Sequence, residues 1–524
     1  MTRNRRLPAT LTALTFAVVT TAMAQAATPT AELVADIRPG LTGSDPWWFV
    51  AAEDFIYFVA DDGTHGTEPF LSDGTALGTK FPRQTQTGSG GGAAYMAHLD
   101  GNVVLFMGSN TTDGAELWTS DGTWAGTYMV KDLWVGGSSG PRLLASASGK
   151  VYFQAITPSY GYELYVSDGT AGGTELVKDI YPGVANAWSE PGLPMGDLFF
   201  FSAVRNSPSN REPWVTDGTT AGTQSLGELT TGTPGSFPVF LGVVNGEMLF
   251  SAQGDGVGYE LWASDGTAAG TRVVKDVVSG NPSSGPVYEW VLHEGLLYYG
   301  ISDAAGWELW VSDGTATGTE RVADINPTGD SQPRDLESFQ GHVWFGANDG
   351  NGDGLWKSDG TAQGTVEVWS GYVQMLHATS TLLYFLDLNG MMWATDGTTG
   401  GTVPVAGAPM NASDMVVFQD QLFFDGTYES GRELWRAFDN DATDAPAVAS
   451  ALSLSLQPAR PNPAATGTVL SYSIPVAAAS MLEVFDVRGA RVRVLEPERV
   501  RAAGTHTVTW DGRDSAGAPV GSGV

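Results

Sequence analysis

The apolar residues of this chain come in short runs, each closed by Gly, Pro, Ser, Asn or Asp, and many runs alternate apolar with polar, as in Glu308, Leu309, Trp310, Val311, Ser312. Alternation at period two sends successive side chains to opposite faces of a β-strand. Between residues 272 and 315 four such runs follow one another: RVVKDV, PVYEWVL, LLYYGI and ELWVSD. No run keeps helical spacing over ten residues. The four-run unit then recurs. Aligned on its DGT triplet, it gives Asp73, Asp121, Asp168, Asp217, Asp265, Asp313, Asp359 and Asp396, in steps of 48, 47, 49, 48, 48, 46 and 37. A ninth, decayed copy, ELWRAFDND, ends at Asp441. Four strands per unit, a period near 48 and no helix predict an all-β chain folded as a β-propeller of eight or nine four-stranded blades. The repeats enter on a VADI strand near Ala31 and leave on an ELW strand, so strands from the two ends are expected to pair and close the ring.

The repeated stretch reads first as scaffold. In SDGTATGT, residues 312–319, the Asp-Gly pair is a turn signal: Asp accepts from backbone N–H groups two residues on, and Gly takes positive φ without strain. Thr315 and Thr319 are expected to restart the next strand. The recurring aromatic (Trp118, Trp214, Trp262, Trp310, Trp356, Trp393 and Trp435, with Tyr165 and Phe70 standing in) is expected to fill the space between neighbouring sheets.

Composition adds a location. Residues 1–26 have a basic front (Arg3, Arg5, Arg6), an apolar middle from Leu11 to Val19 and a small-residue end, the layout of a secretory signal peptide. The mature chain is therefore expected outside the cytoplasm, secreted or at the cell surface, with no transmembrane segment. It has no cysteine, which excludes disulfides, thiol catalysis and cysteine metal sites. Residues 27–450 carry 16 basic and 52 acidic side chains, a net −36, which disfavours nucleic acid and anionic membranes. Only six lysines occur, all in that segment.

The ELWxSDGTxxGTxxVKDI sentence resembles the ELWxxDGT repeat family of bacterial exported proteins, over residues 31–440. The resemblance implies an exported repeat protein, a propeller, and supplies no activity. A linker, 441–451, leads to residues 452–524, whose alternating runs VLSYSI, MLEVFDV and THTVTW suggest a small Ig-like β-sandwich. That stretch resembles the Ig-like domain of flagellar hook-capping proteins and the C-terminal sorting domain of type IX secretion substrates, which implies contact with secretion machinery. In those families a further strand follows the SGV that ends here at Val524, so the sandwich is expected to lack its last strand.

Candidate chemistry is sparse. His65, His98, His293, His342, His377 and His506 hold no metal-binding spacing and read as surface or loop residues. Gly136 to Gly140 formally match G-x-S-x-G but lie in the turn after VKDLWV, with no strand-to-helix elbow. GSGGG, residues 88–92, lacks the lysine and helix of a phosphate loop. Asp349, Asn351 and Asp353 stand at D-x-N-x-D-G spacing, an arrangement of oxygens that suits calcium. Gly360 replaces the Glu that a complete loop needs at its twelfth position, so a plain Asx hairpin loop is the other reading. The loops before the ELW strands differ between units (156–162, 204–211, 254–259, 428–432), as a recognition face requires. Three functions follow as expectations: a non-enzymatic surface propeller that binds a polysaccharide or a protein; a propeller hydrolase or lyase acting on polysaccharide; and a structural surface-layer component.

Overall fold

The computed structural model describes residues 28–440, apart from short stretches at 41, 87–91, 188–189, 205–206, 208, 233, 281–283, 286 and 429–430, together with 455–456, 468–474, 478–485, 491–501, 504–511 and 513 of the tail. The expected signal peptide, the linker 441–451, most of GSGGG and the end of the tail lie outside the described residues.

Nine antiparallel sheets form a ring, so the count of eight or nine resolves to nine. Within each blade the strands run in chain order from the channel outward: in blade 6, Trp290–His293, Leu296–Asp303, Gly306–Ser312 and Glu320–Arg321. Blade 1 keeps three strands, and its fourth is reduced to a bridge between Leu71 and Lys80. Blade 9 takes its outer strand from the other end of the chain: Pro29–Ala35 pairs antiparallel with Gly431–Asp439. The irregular first and last units are thus completed by each other, as the entry and exit strands suggested.

Period-two alternation sets the core. Along the ELW strand the aromatic turns to the preceding blade and the leucine to the following one. Trp118 joins Tyr57 and Val104 between blades 1 and 2, while Leu117 joins Phe153 between blades 2 and 3. Nine apolar clusters, one per interface, close the circle, and the ninth packs Phe58 and Phe70 of blade 1 against Phe423 and Leu434 of blade 9. All nine repeat aromatics, Tyr165 and Phe70 included, sit in these clusters.

The SDGTxxGT stretch is a closed hydrogen-bond circuit rather than a two-residue hairpin. In blade 3, Asp168 Oδ1 accepts from the Thr170 N–H (2.9 Å) and hydroxyl (2.7 Å). Ser167 Oγ accepts from Gly169 N–H, and the Thr174 hydroxyl donates to the Thr170 carbonyl. Thr174 is therefore a buried loop residue and the strand starts after it, where the threonine had been expected to start the strand itself. Gly169 holds φ +85°, and a Cβ on Gly173 would meet the Asp168 carboxylate at 2.1 Å. Turn chemistry thus accounts for the whole sentence.

Two further devices join the blades. Lys131, Lys178 and Lys275, at the end of outer strands, each donate from Nζ to a threonine carbonyl in the next blade's SDGT loop: Thr174, Thr223 and Thr319, at 2.6, 2.6 and 2.5 Å. The ELW glutamate is buried, not solvated. Glu116, Glu163 and Glu308 are fully inaccessible and accept backbone N–H groups from the crossover to the next blade, as Glu116 does from Leu133 (2.9 Å) and Ser139 (2.8 Å).

In the tail, Ser455–Leu456, Thr468–Ile474 and Gly504–Trp510 form one antiparallel sheet, and Ala478–Phe485 pairs with Arg491–Arg501 in another.

Candidate functional site at the channel mouth

The blade connections fall on two faces. One holds the inner hairpins and the SDGT loops, whose polar groups are largely used within the loops themselves. The opposite face holds the loops that differ between units, the crossovers, and the ends where the innermost strands begin. Trp47 (40% exposed), Tyr288 (64%) and Tyr428 (36%) stand on that second face, as do the exposed Val135, Val184 and Leu388.

The innermost strands of blades 6, 7 and 8, Trp290–His293, Arg334–Phe339 and Gln374–Ala378, are neighbours in the ring. Where they begin, a cavity of 320 Å³ is lined by Tyr288, Glu289, Trp290, Asp335, Met375 and His377 among others. A bulge at this point turns the side chains, and Asp335 (φ +51°) and Met375 (φ +57°) take backbone conformations that cost non-glycine residues about 1 kcal/mol each. Carboxylates hold the bulges: Glu289 Oε2 accepts the Asp335 N–H (2.9 Å), Asp335 Oδ1 accepts the Met375 N–H (2.9 Å), and Asp414 accepts the Trp48 N–H where blade 9 meets blade 1. The acids therefore clasp adjacent inner strands, and that is a structural duty in its own right.

Burial raises the pKa of Glu289 and of Asp335, partly offset by these N–H donors and by the nearby Arg334. Burial also pushes Glu337, further along the same strand, up to about 7, and holds the His377 imidazole neutral by lowering its pKa. Arg334 itself is occupied: Nη2 donates to Asp353 Oδ1 (2.8 Å), Nε to the Val373 carbonyl (3.1 Å), and the guanidinium lies 4.3 Å from the Tyr372 ring centre.

The residues singled out by sequence lie elsewhere. Asp349 Oδ1 accepts the N–H groups of Asn351 (2.8 Å) and Gly352 (3.2 Å), and Oδ2 accepts from the Asn351 side chain. Asp353 opens its strand on the Arg334 ion pair, so these side chains bond within the loop and to Arg334. In the G-x-S-x-G match, Ser138 Oγ accepts the Ala115 N–H (3.0 Å) and Ser139 donates to Glu116. This is a blade crossover and not a nucleophile elbow. His65 lies beside Asp62, His98 beside the Gly101 carbonyl and His342 beside the Gln340 carbonyl. Two histidines depart from the surface reading: His293, 8% exposed, bonds Ser338 Oγ, and His377 is half-buried on an inner strand. The sequence offered one signal for the channel residues, namely that the start of the inner strand breaks the repeat (Trp48, Tyr95, Glu289, Asp335, Met375, Asp414).

Two other cavities flank the ring. One of 660 Å³ lies between the outer strands of blades 3 and 4, walled by Trp214 and the Lys178–Thr223 contact. The other, of 330 Å³, lies between blades 1 and 2 beside Trp47, which stacks on Trp48 at 4.4 Å, and Trp48 in turn packs on Tyr95.

No family model matches the chain, and no curated protein matches it. Among solved structures it is similar to the computationally designed Ika8 protein (TM-score 0.40, 14% identity, covering 77% of this chain and 99% of that one). It is also similar to a prolyl endopeptidase (0.37, 10%, 68% and 55%), of which it spans about half, and to PorZ of Porphyromonas gingivalis, a surface component of the type IX secretion system (0.33, 12%, 93% and 80%). At these scores the likenesses carry no functional argument, and the fold rests on the sheets themselves.

Proposed function

We propose that this chain is an exported, cell-surface, non-enzymatic binding propeller that holds a polysaccharide or a protein on its variable face, around the channel mouth. The observation that carries this reading is the division of labour between the faces. The SDGT loops satisfy their own polar groups, with exposed Trp124 and Tyr128 beside one of them, while the opposite face gathers the differing loops, Trp47, Tyr428 and the pocket of Glu289, Asp335 and Tyr288. The N-terminal leader would carry the chain out, and the tail, as an Ig-like sorting domain, would engage secretion machinery. One observation favours the hydrolase or lyase alternative: Glu337, on the same inner strand as Asp335, is pushed up to about 7 by burial, in the range a general acid needs.

The test is binding of the mature full chain to a polysaccharide and cell-envelope array, with calcium and with chelator. Selective binding without shortened product supports the proposal, and a calcium requirement lost in Asp353→Ala would add the 349–353 loop to the site. Product release would move the reading to the enzyme, and silence to a surface-layer component.

A further inference from the structure

The channel-mouth pocket combines features that neither of the two flanking cavities shares. Two carboxyl groups enter it from adjacent inner strands, and each has one oxygen committed to a backbone N–H. The second oxygen of each, Glu289 Oε1 and Asp335 Oδ2, has no hydrogen-bond donor among the described residues. The cation nearest to them, Arg334, already serves Asp353, Val373 and Tyr372. The remaining lining is aromatic and soft: Tyr288, Trp290 and Met375, with His377 held neutral. Aromatic rings beside carboxylates stabilise a positive charge that still carries apolar surface, through the ring quadrupole and a charge-assisted hydrogen bond together. A neutral hydroxyl ligand would leave both acids uncompensated in a half-buried site. The long-range field agrees, since residues 27–450 hold a net −36 that draws cations to the ring.

We propose that this pocket binds an organic cation, with a primary ammonium between Glu289 and Asp335 and its carbon stem against Tyr288 and Trp290. The proposal rests on the binding reading above and names the ligand chemistry of the same site. A lysine side chain and an amino sugar share that chemistry. The groups that face the ammonium are Glu289, Asp335, Tyr288 and His377, with Arg334 behind the two acids and Glu337 further along the inner strand. Both acids have raised pKa values in the free pocket, so cation binding strengthens as pH rises and releases protons.

The experiment is calorimetry on the mature full chain with three probes: Nα-acetyl-lysine methylamide, glucosamine and, as the neutral control, N-acetylglucosamine. One or both cations are expected to bind and the control is not, and which cation binds identifies the source. Glu289→Gln and Asp335→Asn should each weaken binding about tenfold or more. Both carboxyls clasp a strand, so Tyr288→Ala, an exposed ring whose loss spares the fold, is the second variant, with an expected loss of about threefold to tenfold. Raising pH from 5 to 7, where both cation probes stay largely protonated, should tighten binding, with proton release seen as a dependence on buffer ionisation heat. Cation binding that Glu289→Gln and Tyr288→Ala leave unchanged would overturn the assignment. So would selective binding of the neutral sugar. A positive envelope array combined with no cation binding would overturn the ligand class while sparing the binding function, and a silent array with cation binding intact would do the reverse.

Discussion

Glu163 gives the sharpest test of how the blades are joined. It is fully buried, and its two oxygens accept the Ile180 and Tyr181 N–H groups at 3.0 Å each. Two effects oppose one another there. Burial and the neighbouring Asp179 disfavour the charge, the two donors favour it, and burial dominates, so the group is pushed up to about 8. A folded-state pKa above the unfolded one means that the folded chain holds its proton more tightly. This group's contribution is therefore full below about pH 4.5 and is lost as pH rises towards 8, at up to about 1.4 kcal/mol per unit and up to about 5 kcal/mol in all. Glu163→Gln cannot lose a proton and carries no such slope. Relative to wild type it should cost about 1–3 kcal/mol near pH 5, where the native acid is also neutral, because its amide nitrogen cannot accept one of the two N–H groups, and it should become stabilising near pH 9. Glu163→Ala leaves two buried N–H groups without an acceptor and should cost about 2–5 kcal/mol near pH 5. The assay is residue-resolved hydrogen exchange of the Ile180 and Tyr181 amides, with urea unfolding at pH 5, 7 and 9. A Gln variant whose penalty grows with pH would show that the two N–H donors outweigh burial and would refute the reasoning.

Two further predictions concern the loops and the clamps. Gly173→Ala should cost about 1–3 kcal/mol, because its Cβ would fall 2.1 Å from Asp168 Oδ1 and expel the carboxylate that orders the turn. At Gly172 next door a Cβ meets nothing within 4 Å, so Gly172→Ala should be neutral or stabilising by less than about 1 kcal/mol, and urea midpoints of the pair decide whether the spacing is steric. Lys178→Met keeps the stem but removes the 2.6 Å bond to the Thr223 carbonyl. It should cost about 0.5–1.5 kcal/mol and loosen exchange protection on both sides of the blade 3–4 interface, whereas unchanged protection would reduce the lysine to a surface charge.

The fold was largely legible because its main device is local. Trp310 and Leu309 point to opposite sheet faces whatever the rest of the chain does, and a fixed 46–49-residue step repeats that choice at nearly every interface. The ring closure was legible for the same reason, since the repeats begin and end on strands of the same unit. Other features depended on what the ring brings together. A glutamate between alternating apolar residues reads as solvent-facing, because burying a carboxylate is costly unless donors meet it. The donors that make the ELW glutamate tolerable, such as Ile180 N–H for Glu163, lie 17 residues on and become its partners only once the crossover has folded back. Blade 7 is an exception. Gly354 stands where the glutamate would be, and a Cβ there would meet Oε1 of the exposed Glu367 at 2.5 Å, an oxygen that accepts from the Ser370 hydroxyl rather than from a crossover N–H.

The channel pocket stands further still from sequence. Glu289, Asp335 and His377 are 46 and 42 residues apart, share no motif, and meet only because consecutive inner strands are neighbours around an axis. A repeat constrains every position that does the same job in each blade, which is why the tryptophans, the clamps and the SDGT circuits recur. A ligand contacts one sector of the mouth, so its residues must be those that do not recur. In a propeller, then, the scaffold is found by aligning the units, and the site by looking where the alignment fails at the inner strand. In this chain the repeat breaks at the inner strands of several blades, and the pocket lies where those of blades 6 to 8 meet, on the same face as the loops that differ.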